Sequence, residues 1–443
     1  MKLSDISSKT RLYVALLTCI GLWVAQFVFI VKNAVNVPFL DEWEAVNKGG
    51  IIVNQTISQL FAQHNEHRIV TTKLLTLMLY YFDDWNLITH QAINFVIYGL
   101  LVSALAYIVK KSVPEMPTWI LLCFVLFTLT DVSRENHAWG FQSQFHFALL
   151  FLFLSVWFLF NKKQAWGKIL GGAIFSVLSI YSFSSGVVES LVVLFGYSVF
   201  KLIRIRLESA KKREILQLAL VLLIICGAIG FYFVGYIKPE HHPAYTLPYQ
   251  KLFWTYFLNL LSGGFGYKVD NILPGCIIFF FVIIPLIAVI KQNGYKLSTG
   301  KWVIVISTLA ILGSLVSITM GRAEFGKGHS KASRYSEITV MLIPLSVALW
   351  TFFLSEREKL RNYFLGGFWI FCLWSFLTYW NFSADYYHLS VERQTGLECV
   401  KNYYQNGGEA NCLTLYPLPL TERLDFVKTV PVSFIKEMQN QNK

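Results

Sequence analysis

The sequence predicts an all-helical protein that crosses a membrane many times, and three observations support this fold class. The chain has 443 residues, of which 55% are hydrophobic and only 14% are charged, and its mean hydropathy is +0.50. A soluble domain cannot bury so much apolar surface, so lipid must cover part of it. Apolar runs of about 20 residues, the length that crosses a bilayer, recur along the chain. Basic residues cluster in alternate connections between these runs, as the positive-inside rule requires.

About eleven apolar runs define the predicted transmembrane helices. Two of them are short and are separated only by the turn Ser182-Phe-Ser-Ser-Gly186, so they form either a tight helical hairpin or a re-entrant pair. The count therefore lies between ten and twelve. The runs cover residues 12–31, 87–109, 117–131, 146–160, 168–184, 186–200, 215–237, 270–290, 302–320, 338–354 and 362–380.

The basic residues set the predicted orientation. Their clusters fall in alternate short connections, and these connections are expected in the cytoplasm together with the N-terminus. An odd number of spans then puts the C-terminus on the outer side. The formal net charge of +12 is therefore interpreted as a topology signal and not as a sign of nucleic-acid binding. The clusters are Lys110-Lys111, Lys162-Lys163, 201–213, 291–301 and 357–361.

The chain divides into a transmembrane part, residues 1–380, and a small outer tail, residues 381–443. The tail is expected to contain a helix near 386–404 followed by a turn at Gly407-Gly408. It also holds Cys399 and Cys412, whereas the other five cysteines fall inside apolar runs. If the outer side is the oxidising periplasm, these two cysteines are expected to form a disulfide.

The first outer loop, residues 33–86, contains three acids within four positions: Asp41, Glu42 and Glu44, around Trp43. One interpretation is an anchor at the water interface, where aromatic and polar residues follow a span. The density of acids next to hydrocarbon exceeds what an anchor needs. A carboxylate in this position is a candidate general base for an incoming hydroxyl. We therefore predict Asp41 and Glu42 as the catalytic pair, with either one as the base.

A second polar cluster, His64-Asn-Glu-His-Arg68, lies in the same loop. If the segment is helical, positions 64, 67 and 68 share one face. Arg68, assisted by His67, suits a phosphate held by two parallel hydrogen bonds. Two histidines with Glu66 also leave a metal site open, but no clear third ligand accompanies them. The simplest alternative is a solvated amphipathic helix.

Further along the chain, the outer loop from Gly321 to Tyr335 is basic and rich in glycine. Such a loop suits a phosphate on a lipid head group, and its positive charge runs against the usual bias of outer loops. We assign its Arg322, Lys331 and Arg334 to phosphate binding. Flat aromatic faces and amides are typical of sugar sites. The residues assigned to sugar or acceptor binding are Trp43, His64, Glu66, Trp139 and Gln142.

A many-span protein with an acidic motif in its first outer loop resembles the GT-C glycosyltransferases, which use polyprenyl-phosphate sugars. Its length, the motif Asp41-Glu-Trp43, the cluster His64 to Arg68 and the small tail are most similar to the prophage-encoded, serotype-converting O-antigen glucosyltransferases. The resemblance implies a GT-C-like bundle of about 11 transmembrane helices with long periplasmic loops. It also implies a location in the bacterial inner membrane.

The resemblance further implies an activity. Glucose would come from undecaprenyl-phosphate glucose, which a bactoprenol glucosyltransferase makes and a small flippase turns over. The chain would add it, with inversion, to a sugar of the lipid-linked O-antigen and so change the lipopolysaccharide serotype. Asp41 or Glu42 would act as the base. The cations listed above would replace a metal on the leaving phosphate, so no cofactor is expected, with a divalent metal as the alternative.

Three other functions remain as alternatives. A polyprenyl-linked sugar flippase or transporter would favour broken helices, internal repeats and charges within the spans, whereas these spans hold few charges. A GT-C enzyme for a different sugar would have the same sequence features. A membrane scaffold without chemistry would leave the clustered acids and histidines unexplained.

Overall fold

The computed structural model describes residues 8–207, 211–240, 242–264, 271–379 and 384–441. Within these residues, eight helices are long and apolar enough to cross a membrane. The other three predicted spans also fall on helices, two of them shorter apolar ones. The protein is therefore a polytopic helical membrane protein, as the sequence predicted. Residue 270, where one predicted span begins, and residue 380, where another ends, lie outside the described residues. The predicted division between residues 380 and 381 lies outside them as well.

The longest connections between consecutive helices are residues 33–56, 234–250 and 407–420. In chain order they are α1 (Ser8–Lys32), α2 (Ile57–Phe61), α3 (Val70–Asp83), α4 (Leu87–Ser112), α5 (Thr118–Thr128), α6 (Arg134–Ala138), α7 (Ser143–Leu159), α8 (Trp166–Ile180), α9 (Ser185–Leu207), α10 (Lys211–Phe233), α11 (Lys251–Gly263), α12 (Leu273–Asn293), α13 (Thr299–Arg322), α14 (Ser333–Val340), α15 (Leu342–Phe353), α16 (Glu358–Tyr379), α17 (Ala384–Asn406), α18 (Thr421–Val427) and α19 (Ser433–Gln441).

Local sequence explains where several of these helices begin. The Asn86 side chain accepts a hydrogen bond from the backbone N–H of Ile88 and caps α4. Ser298 caps α13 in the same way. Such caps satisfy amide groups that have no partner in the first turn of a helix. The two short spans of the sequence prediction, separated by the turn at 182–186, are the helices α8 and α9, which pack against each other.

The bundle has one large apolar core, which α4, α7, α9 and α13 share. Glu189 lies inside it without solvent exposure. Its carboxylate accepts hydrogen bonds from the hydroxyls of Ser179, Ser185 and Ser314. A buried acid requires such partners, because an unpaired one would be costly in an apolar interior. Glu189 therefore belongs to the bundle interior.

A second apolar core joins the loop 33–86 to the C-terminal tail. Trp43 packs edge-on against Phe434 with ring centroids 5.9 Å apart, and both side chains are buried. The tail contains the expected helix, α17, and then the expected turn, where Gly407 and Gly408 both have positive φ angles. A disulfide links Cys399 to Cys412. The tail is thus packed on the first loop at the same end of the bundle.

One local prediction is wrong. The segment 64–68 is not a helix but a tight turn, in which the backbones of His64 and His67 form a pair of hydrogen bonds of 2.7 and 2.8 Å. Asn65 has a φ of 48° in this turn. Asparagine adopts this left-handed conformation more readily than most residues. The turn points the histidines toward the acidic motif and Arg68 away from it.

Candidate active site

The acidic motif lies on a short 3-10 helix, Leu40–Ala45, at the end of the bundle that carries the first loop. The backbone N–H of Leu40 donates to the carbonyl of Leu415 at 2.8 Å, so the tail holds the start of this helix. Trp43 is fixed in the second core on the opposite side. These contacts leave Asp41 facing the cavities described below, while Glu42 is directed into the protein.

Glu42 is a buried residue, 5% exposed. Its two carboxylate oxygens accept hydrogen bonds from the backbone N–H groups of Phe39 (3.0 Å) and Phe141 (3.3 Å). Burial raises the pKa of Glu42 from its ordinary value of 4.5 to about 7, although the charge of Arg393 and the two backbone hydrogen bonds oppose the increase. Glu42 therefore ties the acidic motif to the segment after α6.

Asp41 has a different environment. Its side chain is 42% exposed, and Oδ2 lies 3.7 Å from Nε2 of His64. Burial alone would raise the pKa of Asp41. The proximity of His64 and the charge of Arg334 outweigh that effect and lower the pKa of Asp41 below its ordinary value of 3.8. Asp41 is therefore ionised near neutral pH and accessible to a ligand.

Asp41 lines a cavity of about 320 Å³, which we call the central cavity. Arg322, at the end of α13, and Arg334, in the first turn of α14, line the same cavity. One carboxylate and two guanidinium groups therefore face a common space, although they come from distant parts of the sequence. Other predicted site residues that line it are His64, His67, Trp139 and Gln142.

Glu66 holds Arg322 in position. Its carboxylate forms an ion pair with the guanidinium of Arg322 and also lies within 3.2 Å of Nε2 of His67 and 3.4 Å of Nε2 of His242. The backbone N–H of Ser184 donates to Nδ1 of His67, so Nε2 carries the proton that reaches Glu66. Burial, with the nearby charge of His64, lowers the pKa of His67 to about 3, and its ring is neutral.

Arg334 is held from two sides. Nη1 lies 3.3 Å from the Glu135 carboxylate, and Nη2 lies 3.4 Å from Nε2 of His329. Burial, with the charges of Arg334 and Arg322, lowers the pKa of His329 to about 4. His329 is therefore neutral beside the two cations and does not add to their repulsion. Both arginines are thus preorganised around the central cavity, which is the arrangement that favours an anionic ligand.

A second space, the side cavity, has a volume of about 200 Å³ and shares Arg322, His67 and Phe183 with the central cavity. Its outer wall includes Phe233 and Tyr245, which are both more than half exposed. These side chains lie at and just beyond the end of α10, a helix whose apolar surface is mostly unburied in the protein and is available to lipid. The side cavity thus leads from an apolar surface to Arg322.

A third space, the loop cavity, lies on the other side of Asp41 and has a volume of about 860 Å³. It shares Asp41, His64 and Phe141 with the central cavity. Its walls come from the first loop, α3, the start of α4 and the tail helix α18. Asp41 is therefore located at the boundary between the central cavity, with its two arginines, and a larger cavity.

Three predicted site residues lie elsewhere. The guanidinium of Arg68 donates to the backbone carbonyls of Tyr232 (2.8 Å), Val234 (2.6 Å) and Phe61. Trp43 belongs to the second core, and Lys331 lies outside the three cavities. Their predicted roles in phosphate and sugar binding stay predictions, and the arrangement of Arg68 is that of a residue that joins three segments of backbone.

The sequence prediction missed three residues at the site. Arg393 of α17 is buried, lies over the Phe39 ring at 4.7 Å and donates to the Ala138 carbonyl. Arg423 of α18 forms an ion pair of 2.8 Å with Glu44. His90 lines the loop cavity from the start of α4. No local pattern marks these residues, because each one reaches the site through tertiary packing.

A metal site was the open alternative for the first loop. Among the described residues, no group of three or more His, Cys, Asp or Glu side chains is arranged to hold a metal ion. The histidines of the cluster instead contact Asp41 and Glu66, and Arg322 occupies the remaining side of Glu66. Within the described residues, the site thus consists of charged and hydrogen-bonding side chains.

Comparison with known proteins adds information about the fold. A scan of protein-family models gives no match, and a search of the curated proteins gives none either. The chain has the all-helical, GT-C-like membrane fold that the sequence predicted. A solved structure with this fold is ArnT from Cupriavidus metallidurans bound to undecaprenyl phosphate, which matches with a TM-score of 0.52 and 12% identity over 96% of this chain and 90% of that chain. At this identity the likeness establishes the fold alone.

Proposed function

We propose that this protein is a membrane glycosyltransferase that takes a sugar from a polyprenyl phosphate and transfers it to a saccharide acceptor. The observation that carries the proposal is the central cavity, where Asp41 faces Arg322 and Arg334. A carboxylate can act as a base on the acceptor hydroxyl, and two cations can stabilise the charge of a leaving phosphate. The fold shared with ArnT, whose crystal structure holds undecaprenyl phosphate, supports the same class of donor.

Asp41 is the proposed base. It takes the proton of an acceptor hydroxyl as the oxygen attacks the anomeric carbon of the donor sugar, and the bond from that carbon to the phosphate oxygen breaks. Glu42 is less suited to this role, because both its oxygens already accept backbone hydrogen bonds. His64 keeps Asp41 oriented and ionised. Attack from the face opposite the phosphate inverts the anomeric configuration.

The leaving group is a polyprenyl phosphate, which gains negative charge as the bond breaks. Arg322 and Arg334 are placed to stabilise that charge, since guanidinium groups match phosphate oxygens with paired hydrogen bonds. Glu66 and Glu135 hold the two arginines before the donor arrives, so little reorganisation accompanies the reaction. The side cavity gives the lipid chain a route from the apolar surface to this clamp.

The finer assignment follows the sequence resemblance. The proposed donor is undecaprenyl-phosphate glucose and the proposed acceptor is a sugar of the lipid-linked O-antigen, so that the reaction changes the lipopolysaccharide serotype. A bactoprenol glucosyltransferase and a small flippase would supply the donor on the periplasmic side of the inner membrane. The proposed orientation has the N-terminus in the cytoplasm and the C-terminus in the periplasm, where the disulfide between Cys399 and Cys412 is compatible with an oxidising compartment.

The test is a transfer assay with purified protein in lipid nanodiscs. Undecaprenyl-phosphate glucose and lipid-linked O-antigen are supplied, and mass spectrometry measures the gain of one hexose on the acceptor. Asp41→Asn is expected to reduce the rate at least 100-fold, within the range for loss of a general base. The matched control is Asp84→Asn, which changes an exposed carboxylate paired with Lys436. This variant is expected to retain the activity of the parent protein.

Each outcome has a defined meaning. Transfer by the parent protein and not by Asp41→Asn supports both the reaction and the base. Equal activity in the two proteins removes Asp41 from the mechanism. If glucose is not transferred but another undecaprenyl-phosphate sugar is, the sugar assignment fails and the enzyme class stands. If the protein transfers no sugar but moves the labelled lipid across a liposome membrane, the flippase alternative replaces the proposal.

A further inference from the structure

We infer that the loop cavity binds the acceptor as an extended saccharide that is uncharged or carries amino groups, and that it disfavours acidic saccharides. This inference rests on the proposed function, because it assigns the second substrate of the same site. It goes beyond that function by locating the acceptor between the first loop and the tail, and by predicting its charge class.

The loop cavity is positioned to bring an acceptor to Asp41. Asp41 lines both the central cavity and the loop cavity, whereas Arg322 and Arg334 line the central cavity and not the loop cavity. A donor phosphate on Arg322 and Arg334 leaves the loop cavity as the space from which a hydroxyl can approach the anomeric carbon past Asp41. The base then lies between its two substrates, which is the geometry that proton transfer requires.

The size and the lining of the loop cavity suit a saccharide. The volume of about 860 Å³ lies near the upper end of the range for small-molecule sites, roughly 300–1,000 Å³, and therefore leaves room for more than one sugar ring. Polar side chains from the first loop and α3 line it, among them Asn47, Gln59, Thr72 and Thr76. Phe141 supplies an aromatic surface at the junction with the central cavity. This mixture matches the hydroxyls and apolar faces of sugars.

The wall of the loop cavity includes a buried polar side chain, His90. His90 lines the loop cavity and is only 1% exposed, yet neither ring nitrogen has a hydrogen-bond partner among the described residues. Leaving such a group unsatisfied costs free energy, so a ligand hydroxyl is a natural partner. Gly140 makes the position possible, since a Cβ there would lie 2.6 Å from the His90 ring.

The charged side chains of the loop cavity favour saccharides without acidic groups. Five carboxylates and three cationic side chains line the loop cavity. Two of the cations are already used, because Lys73 donates to two backbone carbonyls and Arg423 pairs with Glu44. The third, Lys48, is exposed. Because the raised pKa of Glu42 leaves it partly protonated and Glu44 is the partner of Arg423, the excess negative charge comes mainly from Asp41, Glu422 and Asp425. An acidic saccharide would meet this charge here, whereas the central cavity offers the two arginines. The carboxylates are Asp41, Glu42, Glu44, Glu422 and Asp425.

Binding to the full-length protein in nanodiscs tests this inference without requiring turnover. The probes are maltohexaose, a neutral hexasaccharide, and the hexamer of galacturonic acid, an acidic one, each titrated with and without saturating undecaprenyl phosphate. We expect saturable binding of the neutral probe at least tenfold tighter than that of the acidic probe, and no displacement of it by the lipid. Equal affinities, displacement by undecaprenyl phosphate, or no saturable binding of the neutral probe would overturn the inference.

Variants connect the binding to this cavity. His90→Ala is expected to weaken neutral-probe binding at least tenfold, and the control His388→Ala, at an exposed position of α17, should leave it unchanged. Because a loss can come from misfolding, the double change E422K/D425K supplies a gain. Both carboxylates are exposed on the cavity wall, and their reversal should reduce the preference for the neutral probe at least fivefold. An unchanged preference in this variant contradicts the assignment.

The transfer assay separates failure of this inference from failure of the proposed function. If transfer occurs and His90→Ala leaves the KM for the acceptor unchanged, the enzyme assignment stands and the acceptor location is wrong. If the hexasaccharide binds as expected but no undecaprenyl-phosphate sugar is transferred, the loop cavity is a saccharide site in a protein with another function.

Discussion

Glu42→Gln separates the roles of the two neighbouring acids, and its effect on stability is predictable from the structure. Burial raises the pKa of Glu42 from 4.5 to about 7. At about 1.4 kcal/mol for each tenfold change in proton affinity, this is worth about 3 kcal/mol. The folded state holds a proton at Glu42 that the unfolded chain releases, so this stabilisation is complete below pH 4.5 and is lost as the pH rises through about 7.

Glutamine stays neutral at every pH, so the variant lacks this dependence. Its single side-chain oxygen can accept from only one of the backbone N–H groups of Phe39 and Phe141, and its NH2 group then faces the other N–H. This lost hydrogen bond costs about 1–3 kcal/mol at all pH values. We therefore expect Glu42→Gln to be less stable than the parent at pH 5. The difference should shrink or reverse by pH 8.

Unfolding free energies from SDS titration between pH 5 and pH 8.5 measure this crossover, with Asp84→Asn as the control for an exposed acid in the same loop. The transfer rate of Glu42→Gln at pH 7 should stay within tenfold of the parent, in contrast to the loss expected for Asp41→Asn. Parallel pH profiles of the parent and Glu42→Gln would refute the buried, protonated Glu42. A 100-fold loss of transfer with unchanged stability would make Glu42 the base.

Three further predictions concern stability and the loop cavity. Replacing Cys399 and Cys412 by serine removes a disulfide between cysteines 13 positions apart and should lower the unfolding free energy by about 3 kcal/mol. The unfolding free energies of the oxidised parent, the reduced parent and the variant measure this effect. Arg68→Lys should lower the stability by roughly 2 kcal/mol or more, since it removes hydrogen bonds to three carbonyls; a higher KM for the donor at unchanged stability would instead restore its predicted phosphate role. Gly140→Ala should raise the KM for the acceptor by displacing the His90 ring, while Gly366→Ala, where a Cβ meets nothing, should not; equal KM values would show that the ring moves without consequence.

The fold was predictable because a single physical constraint, the thickness of the bilayer, acts along the sequence. Each apolar run therefore corresponds to a helix. Local patterns within the first loop were less informative. The spacing of His64, His67 and Arg68 fits one face of a helix, but five residues also fit a turn, and Asn65 adopts the turn conformation. Spacing could not separate the two histidines, which face the acids, from the arginine, which joins backbone segments.

Long-range packing determines the rest of the site. Two of the three partners of Arg68 lie at the end of α10 and directly after it, and Trp43 is buried by Phe434 near the end of the chain. Neither contact leaves a local signal in the sequence. By contrast, Arg322 and Arg334 were recognisable because positive charge is unusual in a loop that the sequence predicts on the outer side. Unexpected charge therefore located the central cavity, and no comparable signal located the loop cavity.

The walls of the central cavity and the loop cavity come from different parts of the chain. The central cavity takes its cations from α13 and α14, which belong to the membrane bundle, whereas the loop cavity takes its outer wall from α18 of the tail. The two parts are joined by the Arg423–Glu44 ion pair and by the second apolar core. Substitutions on α18 can therefore alter the loop cavity without moving the arginine pair. On the proposed function, donor use and acceptor choice would be encoded in separate segments, with Asp41 as the one carboxylate that serves both.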